Sequence, residues 1–324
     1  MKQLDSSGLK AILHSKRANI FVLEHCRVMQ KNGRVLYLSE KSDEKLYYNI
    51  PIANTTALLL GNGTSITQAA VHMLSQAGVM IGFCGGEGTP LYMSSPVEWL
   101  SPQSEYRPTQ YLQGWVGFWF NEKKRFEEAA RLQEKRVGFI ERQWDRNPFI
   151  CLSGESKDAF ARILGDYRAS IREAADVPAL LLTEARFTKE LYGFLATWCG
   201  MEGFARRTQA EDSANSFLDQ GNYLAYGLAA SCLWVLGIPH GLALMHGKTR
   251  RGALVFDVAD LVKDAVVMPA AFRCALQKMS DQEFRHELLQ AFIDSGSMDF
   301  MFITLEEIAL RNRALALGGE GNRA

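Results

Sequence analysis

The chain has 324 residues, of which 47% are hydrophobic and 22% are charged. This composition is typical of a globular protein with a buried core, and it excludes a chain that is disordered over most of its length. Lys plus Arg and Asp plus Glu each total 36, so the net charge is zero and any nucleic-acid site must be a local basic patch.

The first hundred residues are predicted to be rich in β-strand. Asn-Gly at residues 32–33 lies between two apolar runs and predicts a hairpin. Further along, Thr64 or Ser65 is the expected N-cap of a helix that ends near Ala77, with Gly78 as its stop signal. The predicted strands are residues 19–23, 26–28, 35–38, 57–60 and 79–81.

The rest of the chain has the period of α-helices, for example at residues 122–143 and 180–192. The mixed charges of the first of these helices, Arg136 among them, are interpreted as an ordinary solvent-facing surface without a function. Residues 101–108 contain two prolines and suit a linker. The predicted fold is therefore α+β: a small β-rich domain at residues 1–105, a larger all-α domain at residues 106–314, and a disordered tail at residues 315–324.

Six cysteines are scattered through the chain, and no two of them form a C-x-x-C pair. We also find no basic segment followed by an apolar run at the start of the sequence. This pattern predicts reduced thiols in a cytoplasmic protein and disfavours structural zinc. The cysteines are Cys26, Cys84, Cys151, Cys199, Cys232 and Cys274.

The segment from Gln220 to Met245 carries no formally charged residue and is long enough to span a bilayer. However, it contains Pro239, His240 and several glycines, and no second apolar segment accompanies it. A buried core helix followed by a turn is therefore favoured over a membrane span.

Two acidic residues, Asp257 and Asp260, stand three positions apart in an apolar segment. On a helix they would share one face, where a divalent cation with a preference for oxygen would relieve their repulsion. The alternative is that Asp257 is an N-cap and Asp260 a first-turn acid, both solvated. The apolar neighbours favour the first interpretation, because buried acids need partners.

His246 follows the uncharged segment and precedes a glycine. A lone histidine is most often a packed one, but together with two or three carboxylates it forms a nitrogen and oxygen set that suits Mn²⁺ or Mg²⁺. A further ligand is expected from the helix around residues 183–192, where spacing alone does not choose Glu184 over Glu190.

Basic residues surround these acids: Lys248, Arg250 and Arg251 follow His246, and Lys263 follows Asp260. An enzyme that acts on phosphodiesters needs such an arrangement, with a metal at the reacting phosphate and basic groups on its neighbours. A solvated basic turn is the alternative. The sequence contains neither a phosphate-binding loop nor a G-x-S-x-G nucleophile elbow, so nucleotide binding and acyl transfer lack support.

At the level of whole motifs, the chain resembles the CRISPR-associated spacer-acquisition integrase, the endonuclease of the adaptation machinery, in particular its I-F subtype. The likeness covers nearly the whole chain. The motifs that carry it are Glu-Ala-Arg at residues 184–186, His-Gly-Lys-Thr-Arg-Arg-Gly at 246–252, Phe-Asp-Val-Ala-Asp-Leu at 256–261, Asn-Tyr-Leu-Ala-Tyr-Gly at 222–227 and Leu-Leu-Gly-Asn-Gly-Thr-Ser-Ile-Thr at 59–67. Many members of the family have glycine where Ala185 stands and glutamate where Asp260 stands, which leaves open whether Asp260 binds metal directly or through water.

The resemblance implies a metal-dependent DNA endonuclease and integrase that inserts short foreign DNA fragments as spacers into a CRISPR array, a step of antiviral defence. It implies a Mn²⁺ or Mg²⁺ site at Glu184, His246, Asp257 and Asp260, in a helical catalytic domain. It also implies a dimerising β-rich domain, and a small adaptation subunit fused to a nuclease-helicase as partner. The residues expected to contact DNA are Lys248, Arg250, Arg251, Lys263, Tyr223 and Tyr226.

Two other functions remain open on the residues alone. A non-catalytic DNA-binding scaffold would use the acids structurally and would bind DNA without metal, in a salt-sensitive way. A metal hydrolase of small molecules is disfavoured by the basic residues beside the acids, although a phosphorylated metabolite would suit them.

Overall fold

A computed structural model of the chain describes residues 19–39, 46–85, 98–100, 109–201, 203–208, 212–247 and 252–318. The chain separates into two compact units, an N-terminal unit (Met1–Tyr106) and a C-terminal unit (Arg107–Ala324). The first is rich in strands and the second is helical, so the predicted α+β fold class is confirmed.

The described residues of the N-terminal unit form two four-stranded sheets. In the first, β1, β5 and β7 run parallel and β8 closes the edge antiparallel to β7, in the order β1-β5-β7-β8. The second has the order β4-β3-β2-β6. The elements are β1 (Asn19–Leu23), β2 (Cys26–Lys31), β3 (Arg34–Ser39), β4 (Leu46–Ile50), a 3₁₀ turn (Ile52–Asn54), β5 (Thr55–Leu60), β6 (Ser65–Ile66), helix α1 (Gln68–Gln76), β7 (Met80–Phe83) and β8 (Glu98–Leu100).

The predicted hairpin joins β2 to β3. Asn32 and Gly33 both have positive φ, 53° and 72°, as a two-residue turn of this kind requires. The flanking residues Lys31 and Arg34 are paired across the strands. Local turn chemistry was therefore sufficient to predict this connection.

The predicted start of α1 is wrong by a few residues. Thr67 is the N-cap, because its side chain accepts a hydrogen bond from the backbone N–H of Ala70. Ser65, which was a candidate cap, instead lies in β6 and pairs with Arg27 of β2. The predicted stop signal of α1 is confirmed, since Gly78 has a φ of +70° just beyond the helix.

Strand β5 is at the centre of the first sheet, and all six of its residues are buried. Leu58 and Leu60 pack with Val28, Leu74 and Ile81 in the core of the N-terminal unit. Successive side chains of a strand point to opposite faces of the sheet, so the burial of all six means that both faces of β5 are covered, which explains the apolar run at residues 57–60.

The described part of the C-terminal unit consists of helices joined by turns. Helix α7 continues through a π-helical segment directly into α8. The elements are α2 (Thr109–Trp119), α3 (Glu122–Asp145), α4 (Gly154–Glu173), α5 (Val177–Trp198), α6 (Ser213–Leu236), α7 (Leu254–Val262), the π segment (Lys263–Val267), α8 (Met268–Leu276), α9 (Asp281–Asp294) and α10 (Ser297–Gly318).

Helix α6 carries most of the uncharged segment and is the predicted core helix. Every residue from Leu228 to Leu236 is buried, and Gly237 ends the helix with a φ of 69°. A turn then leads to His246. In the described parts of the chain, no helix is both long enough and apolar enough to cross a bilayer.

The predicted disordered tail begins too early. Helix α10 continues through residues 315–318, which include Leu315 and Leu317. Leucine and alanine are strong helix formers, so they extend the helix up to Gly318. Residues 319–324 lie outside the described part of the chain.

Candidate active site

The turn that carries His246 is held by the carboxylate of Asp257, which projects from the first turn of α7. Oδ2 of Asp257 accepts hydrogen bonds from the backbone N–H groups of Leu244 (2.7 Å) and Met245 (3.1 Å). Oδ1 accepts one from the backbone N–H of His246 (3.3 Å) and lies 2.6 Å from Nδ1 of the same residue. Asp257 is fully buried, so one side chain fixes both the turn and the imidazole.

Two tryptophans of α2 hold the same turn from its other side. The indole N–H of Trp115 donates to the carbonyl oxygen of Leu242 at 3.0 Å, and that of Trp119 donates to the carbonyl oxygen of Ala243 at 2.8 Å. The carbonyl oxygens of residues 242 and 243 are thus bonded by the two tryptophans, and the N–H groups of residues 244–246 are bonded by Asp257. The backbone before His246 is therefore closely restrained.

Asp260 lies one turn further along α7, on a different part of the site. Its side chain is 2% exposed, and within the described part of the chain Oδ2 accepts no hydrogen bond. Two cations compensate its charge: Nζ of Lys263 lies 2.5 Å from Oδ1, and Nη1 of Arg136 lies 4.0 Å from Oδ2. The alternative of a solvated Asp257 and Asp260 is wrong, because both are buried and the helix begins after Ala253.

Arg136 of α3 is fully buried and links three helical segments. The interpretation of this helix as a plain solvent-facing surface is wrong at Arg136, which lies on the buried face between Leu132 and Ile140 at intervals of four residues. That interval was the available signal in the sequence. Its hydrogen bonds run from Nε to Oδ2 of Asp264 (2.9 Å), from Nη1 to Oε1 of Glu184 (2.8 Å) and Oε1 of Gln133 (3.1 Å), and from Nη2 to Oγ1 of Thr188 (2.9 Å) and to Asp264.

Glu184 projects from α5 toward this guanidinium, whereas Glu190 of the same helix is exposed. Since α5 begins at Val177, Glu184 is not a first-turn acid. Its Oε1 accepts hydrogen bonds from Arg136 and from Oγ1 of Thr188 (3.1 Å). Burial alone would raise the pKa of Glu184, but the charge of Arg136 and, secondarily, that of Lys263 lower it to about 2. The carboxylate is therefore ionised at neutral pH.

The π segment positions the last members of the cluster. Asp264 is 1% exposed, and its burial raises the pKa of the carboxyl group against the opposing effects of Arg136 and Lys263. The indole N–H of Trp144 donates to the backbone carbonyl of Asp264 at 3.1 Å. Short π-helical segments are frequent at functional sites, and here the segment presents Lys263 and Asp264 side by side.

His246 lies within electrostatic range of the acids. Burial would lower its pKa, but the hydrogen bond that Asp257 accepts from its ring and the charges of Asp260, Asp257 and Glu184 raise it above the usual value. The structure thus places the predicted acids Glu184, Asp257 and Asp260 close enough to His246 for their charges to shift the pKa of its imidazole.

The residues predicted to contact DNA have different surroundings. Lys248, Arg250 and Arg251 lie outside the described residues. The ring of Tyr226 contacts Phe256 edge-on at 4.7 Å between centroids, and Tyr223 contacts Tyr226 in the same way at 5.9 Å. Lys263 is 19% exposed. Its ammonium group lies against Asp260.

The donor atoms are of the kind that Mn²⁺ or Mg²⁺ accepts. Oδ2 of Asp260 is buried without a hydrogen-bond donor among the described residues, and the hydrogen bonds that Glu184 accepts from Arg136 and Thr188 are both made to Oε1. The contact of Nδ1 of His246 with Asp257 leaves Nε2 as a nitrogen donor. As the side chains stand, no group of three or more His, Cys, Asp or Glu within the described ranges is close enough together to hold a metal ion. The donor atoms of Glu184, His246 and Asp260 are therefore of the right chemical kind for such an ion, and these side chains must move closer together to bind it.

Solved structures with similar folds include three with functional descriptions. A structure described as a TtCas1–DNA complex has a TM-score of 0.63 and 20% identity, over 90% of this chain and 91% of that chain. A casposase bound to an integration product has a TM-score of 0.69 and 11% identity, over 91% of both chains. A Cas6-RT-Cas1–Cas2 complex has a TM-score of 0.63 and 14% identity, over 92% of this chain and 35% of that chain. At these identities the likeness concerns the fold.

Sequence comparison extends the likeness to close relatives. The chain is 49% identical over 324 residues to the CRISPR-associated endonuclease Cas1 of Pseudomonas aeruginosa (strain UCBPP-PA14), which covers 98% of this chain and 100% of that protein. It is 50% identical over 314 residues to the CRISPR-associated endonuclease Cas1 of Pectobacterium atrosepticum, which covers 94% and 95% of the two. Residues 20–299 match the family described as CRISPR associated protein Cas1. The chain therefore belongs to the Cas1 family.

Proposed function

We propose that this protein is a divalent-metal-dependent DNA endonuclease and integrase of the I-F subtype, which inserts short foreign DNA fragments into a CRISPR array in the cytoplasm. Family membership and relatives named as endonucleases support the class of activity. The observation that carries the chemistry is the buried Asp260 beside Glu184 and His246, with its Oδ1 ion-paired to Lys263 and its Oδ2 without a hydrogen-bond donor among the described residues. The DNA complex and the integration product described for structural neighbours support the substrate.

We assign the metal to Glu184, His246 and Asp260, with Mn²⁺ or Mg²⁺ as the ion. Asp257, predicted from the sequence as a fourth ligand, uses both of its oxygens on residues 244–246. Its role in this scheme is to orient the imidazole of His246 so that Nε2 faces the ion. When bound, the ion supplies a Lewis acid that stabilises the charge developing on the attacked phosphodiester.

The chain's own residues hold and orient the DNA in this scheme. Lys263, at the edge of the acidic cluster, would contact a phosphate next to the reacting one. Lys248, Arg250 and Arg251 would hold neighbouring phosphates, and the rings of Tyr223 and Tyr226 would contact sugar or base. In integration a 3′-hydroxyl would attack the phosphorus, and in cleavage water would; in both, a new P–O bond forms, the P–O bond to the displaced strand end breaks, and the proton of the attacking group passes to the departing oxygen or to solvent.

The test is strand transfer and cleavage of a branched DNA with Mn²⁺ or Mg²⁺. We compare the intact chain with His246→Ala and Asp260→Asn, and with Glu190→Gln as a matched control on the exposed side of α5. Loss of both reactions in the first two variants, with DNA binding and the control intact, is the expected result. Full activity in His246→Ala would refute the assignment.

A non-catalytic DNA-binding scaffold is the second candidate, because Arg136 and Lys263 already compensate the buried acids without a metal. It predicts DNA binding that is independent of divalent ions and weakens steeply with salt. It also predicts that neither the intact chain nor any of the variants carries out strand transfer.

We further propose a homodimer formed through the N-terminal unit and a small adaptation subunit fused to a nuclease-helicase as partner. In the described sheet order β4 lies at an edge, and Leu46, Tyr47 and Tyr48 on it are 44–45% exposed. An edge strand with exposed apolar residues is suited to pairing with another chain. The Cas1–Cas2 complex among the structural neighbours supports the second partner. Light scattering measures the molar mass of the intact chain and of the variant Tyr48→Lys. We expect the mass of a dimer for the intact chain and a lower mass for the variant.

A further inference from the structure

The guanidinium of Arg136 is held on every side. Its Nε–Nη2 edge faces Asp264, while Nη1 donates to Glu184 and to Gln133. Gln133 is fixed in turn, because Oε1 also accepts a hydrogen bond from the hydroxyl of Tyr167 at 2.9 Å. A planar group with five N–H donors in this environment has one orientation.

This fixed orientation is passed on to Glu184. Nη1 of Arg136 and Oγ1 of Thr188 both donate to the same carboxylate oxygen, Oε1, at 2.8 and 3.1 Å. Neither of these two hydrogen bonds is made to Oε2. The carboxylate is therefore pinned by one oxygen, with the other available to a ligand of the site.

The charges of the cluster explain why an arginine is required at this position. Three acids, Glu184, Asp260 and Asp264, meet two cations, Arg136 and Lys263, and all five side chains are at most 19% exposed. Lysine in place of Arg136 would supply one point charge, which cannot donate in plane to Asp264 and Glu184 at once. A neutral residue would leave buried carboxylates uncompensated.

We propose that Arg136 is a positioning residue, which holds Oε1 of Glu184 so that Oε2 faces the metal site, in addition to balancing buried charge. The inference rests on the metal site proposed above. The competing view is that Arg136 serves only as a counter-ion for folding. The two views differ in what happens when the charge balance is kept but the hydrogen bond to Glu184 is removed.

The double variant Arg136→Gln/Asp264→Asn removes one positive and one negative charge together, so the net charge of the cluster is unchanged. Its matched control is Arg168→Gln/Glu141→Gln, which removes an ion pair of 2.5 Å between α4 and α3 at the surface. Arg136→Lys is the second variant and keeps the charge at the site itself. Arg136→Lys tests the proposal by itself if the double variant does not fold.

Mn²⁺ binding to the full chain is measured by electron paramagnetic resonance of the free ion, with circular dichroism as the check of folding. We expect the Kd of the folded double variant to be about 10-fold to 100-fold weaker than that of the intact chain, and Arg136→Lys to be weakened as well. The control should bind as the intact chain does. An unchanged Kd in the folded double variant and in Arg136→Lys would overturn the positioning role.

Glu184→Gln separates this inference from the proposed function. If Glu184→Gln weakens Mn²⁺ binding while both Arg136 variants bind normally, only the role of Arg136 is wrong. If Glu184→Gln binds Mn²⁺ as the intact chain does, Glu184 is not a ligand, and the metal assignment and the role of Arg136 fall together.

Discussion

Nδ1 of His246 lies 2.6 Å from Oδ1 of Asp257, and the same carboxylate accepts hydrogen bonds from three consecutive backbone N–H groups. A buried carboxylate in this position holds the proton of the imidazole on Nδ1 and leaves Nε2 as the basic atom. One residue thus sets the path of the backbone, the orientation of the ring and its tautomer.

Replacing Asp257 with Asn is expected to disturb this arrangement. The amide oxygen is required by the N–H groups of Leu244 and Met245, so the amide N–H₂ faces the imidazole and can only donate to it, which favours the tautomer with its proton on Nε2 and removes the nitrogen lone pair from the site. We expect Mn²⁺ affinity to fall by about 10-fold to 100-fold. The measurement is Mn²⁺ titration of the folded variant. Asp176→Asn, at the exposed N-cap of α5 where Asn also caps, is the control, and equal affinity in all three proteins would contradict this role.

The indole of Trp119 is predicted to stabilise the turn before His246. Trp119→Phe removes the donor to the carbonyl of Ala243, at a cost of about 1 kcal/mol in the free energy of unfolding, and it should also weaken Mn²⁺ binding. Trp198→Phe is the matched control, because its indole contacts the carbonyl of Phe149 at 3.4 Å on the surface. Chemical denaturation and Mn²⁺ titration measure the two effects, and a Trp119→Phe variant that matches the control in both would argue against the restraint.

Two glycines of α2 should respond oppositely to alanine. A Cβ built on Gly114 would lie 1.9 Å from the carbonyl oxygen of Ala309 in α10, so the helices would have to separate. We expect Gly114→Ala to lower the free energy of unfolding by about 1–3 kcal/mol. Gly117 has open space around its position, and Gly117→Ala should raise stability by up to about 1 kcal/mol through helix propensity. Thermal denaturation compares them, and equal melting temperatures would be inconsistent with the close approach.

His240 predicts a dependence of stability on pH. Burial lowers the pKa of its imidazole, against a smaller opposing effect of a hydrogen bond to the backbone at Ala230. The unfolded chain therefore binds the proton more readily, and the contribution of the neutral ring is present above about pH 6.5 and is lost as the pH falls through the lowered folded-state pKa.

The expected result is that His240→Gln loses less unfolding free energy than the intact chain when the pH is lowered from about 7.5 to about 5. Urea denaturation at both pH values measures the difference. His286→Gln, at an exposed position of α9, should retain the dependence of the intact chain. Parallel pH profiles for the intact chain and His240→Gln would show that the burial of His240 does not contribute.

Local patterns in the sequence were sufficient for much of the fold. The Asn32-Gly33 hairpin, the stop at Gly78 and the uncharged core helix α6 depend on turn chemistry and on hydrophobic periodicity, which act over a few residues. The predicted start of α1 was wrong because Ser65 pairs with β2. This contact between residues distant in the sequence overrides the capping propensity of Ser65.

The sequence by itself predicted the burial of Asp257 and Asp260 and selected them with His246 as candidates, because the two acids stand in an apolar segment and buried acids need partners. Spacing did not choose Glu184 over Glu190, and the family resemblance did; only the tertiary structure separated the surroundings of Asp257 from those of Asp260 and placed Arg136 between the acids. The physical reason is that charge compensation depends on distance in space. Residues 136, 184 and 264 are far apart along the chain and are brought together only by the packing of α3, α5 and the π segment.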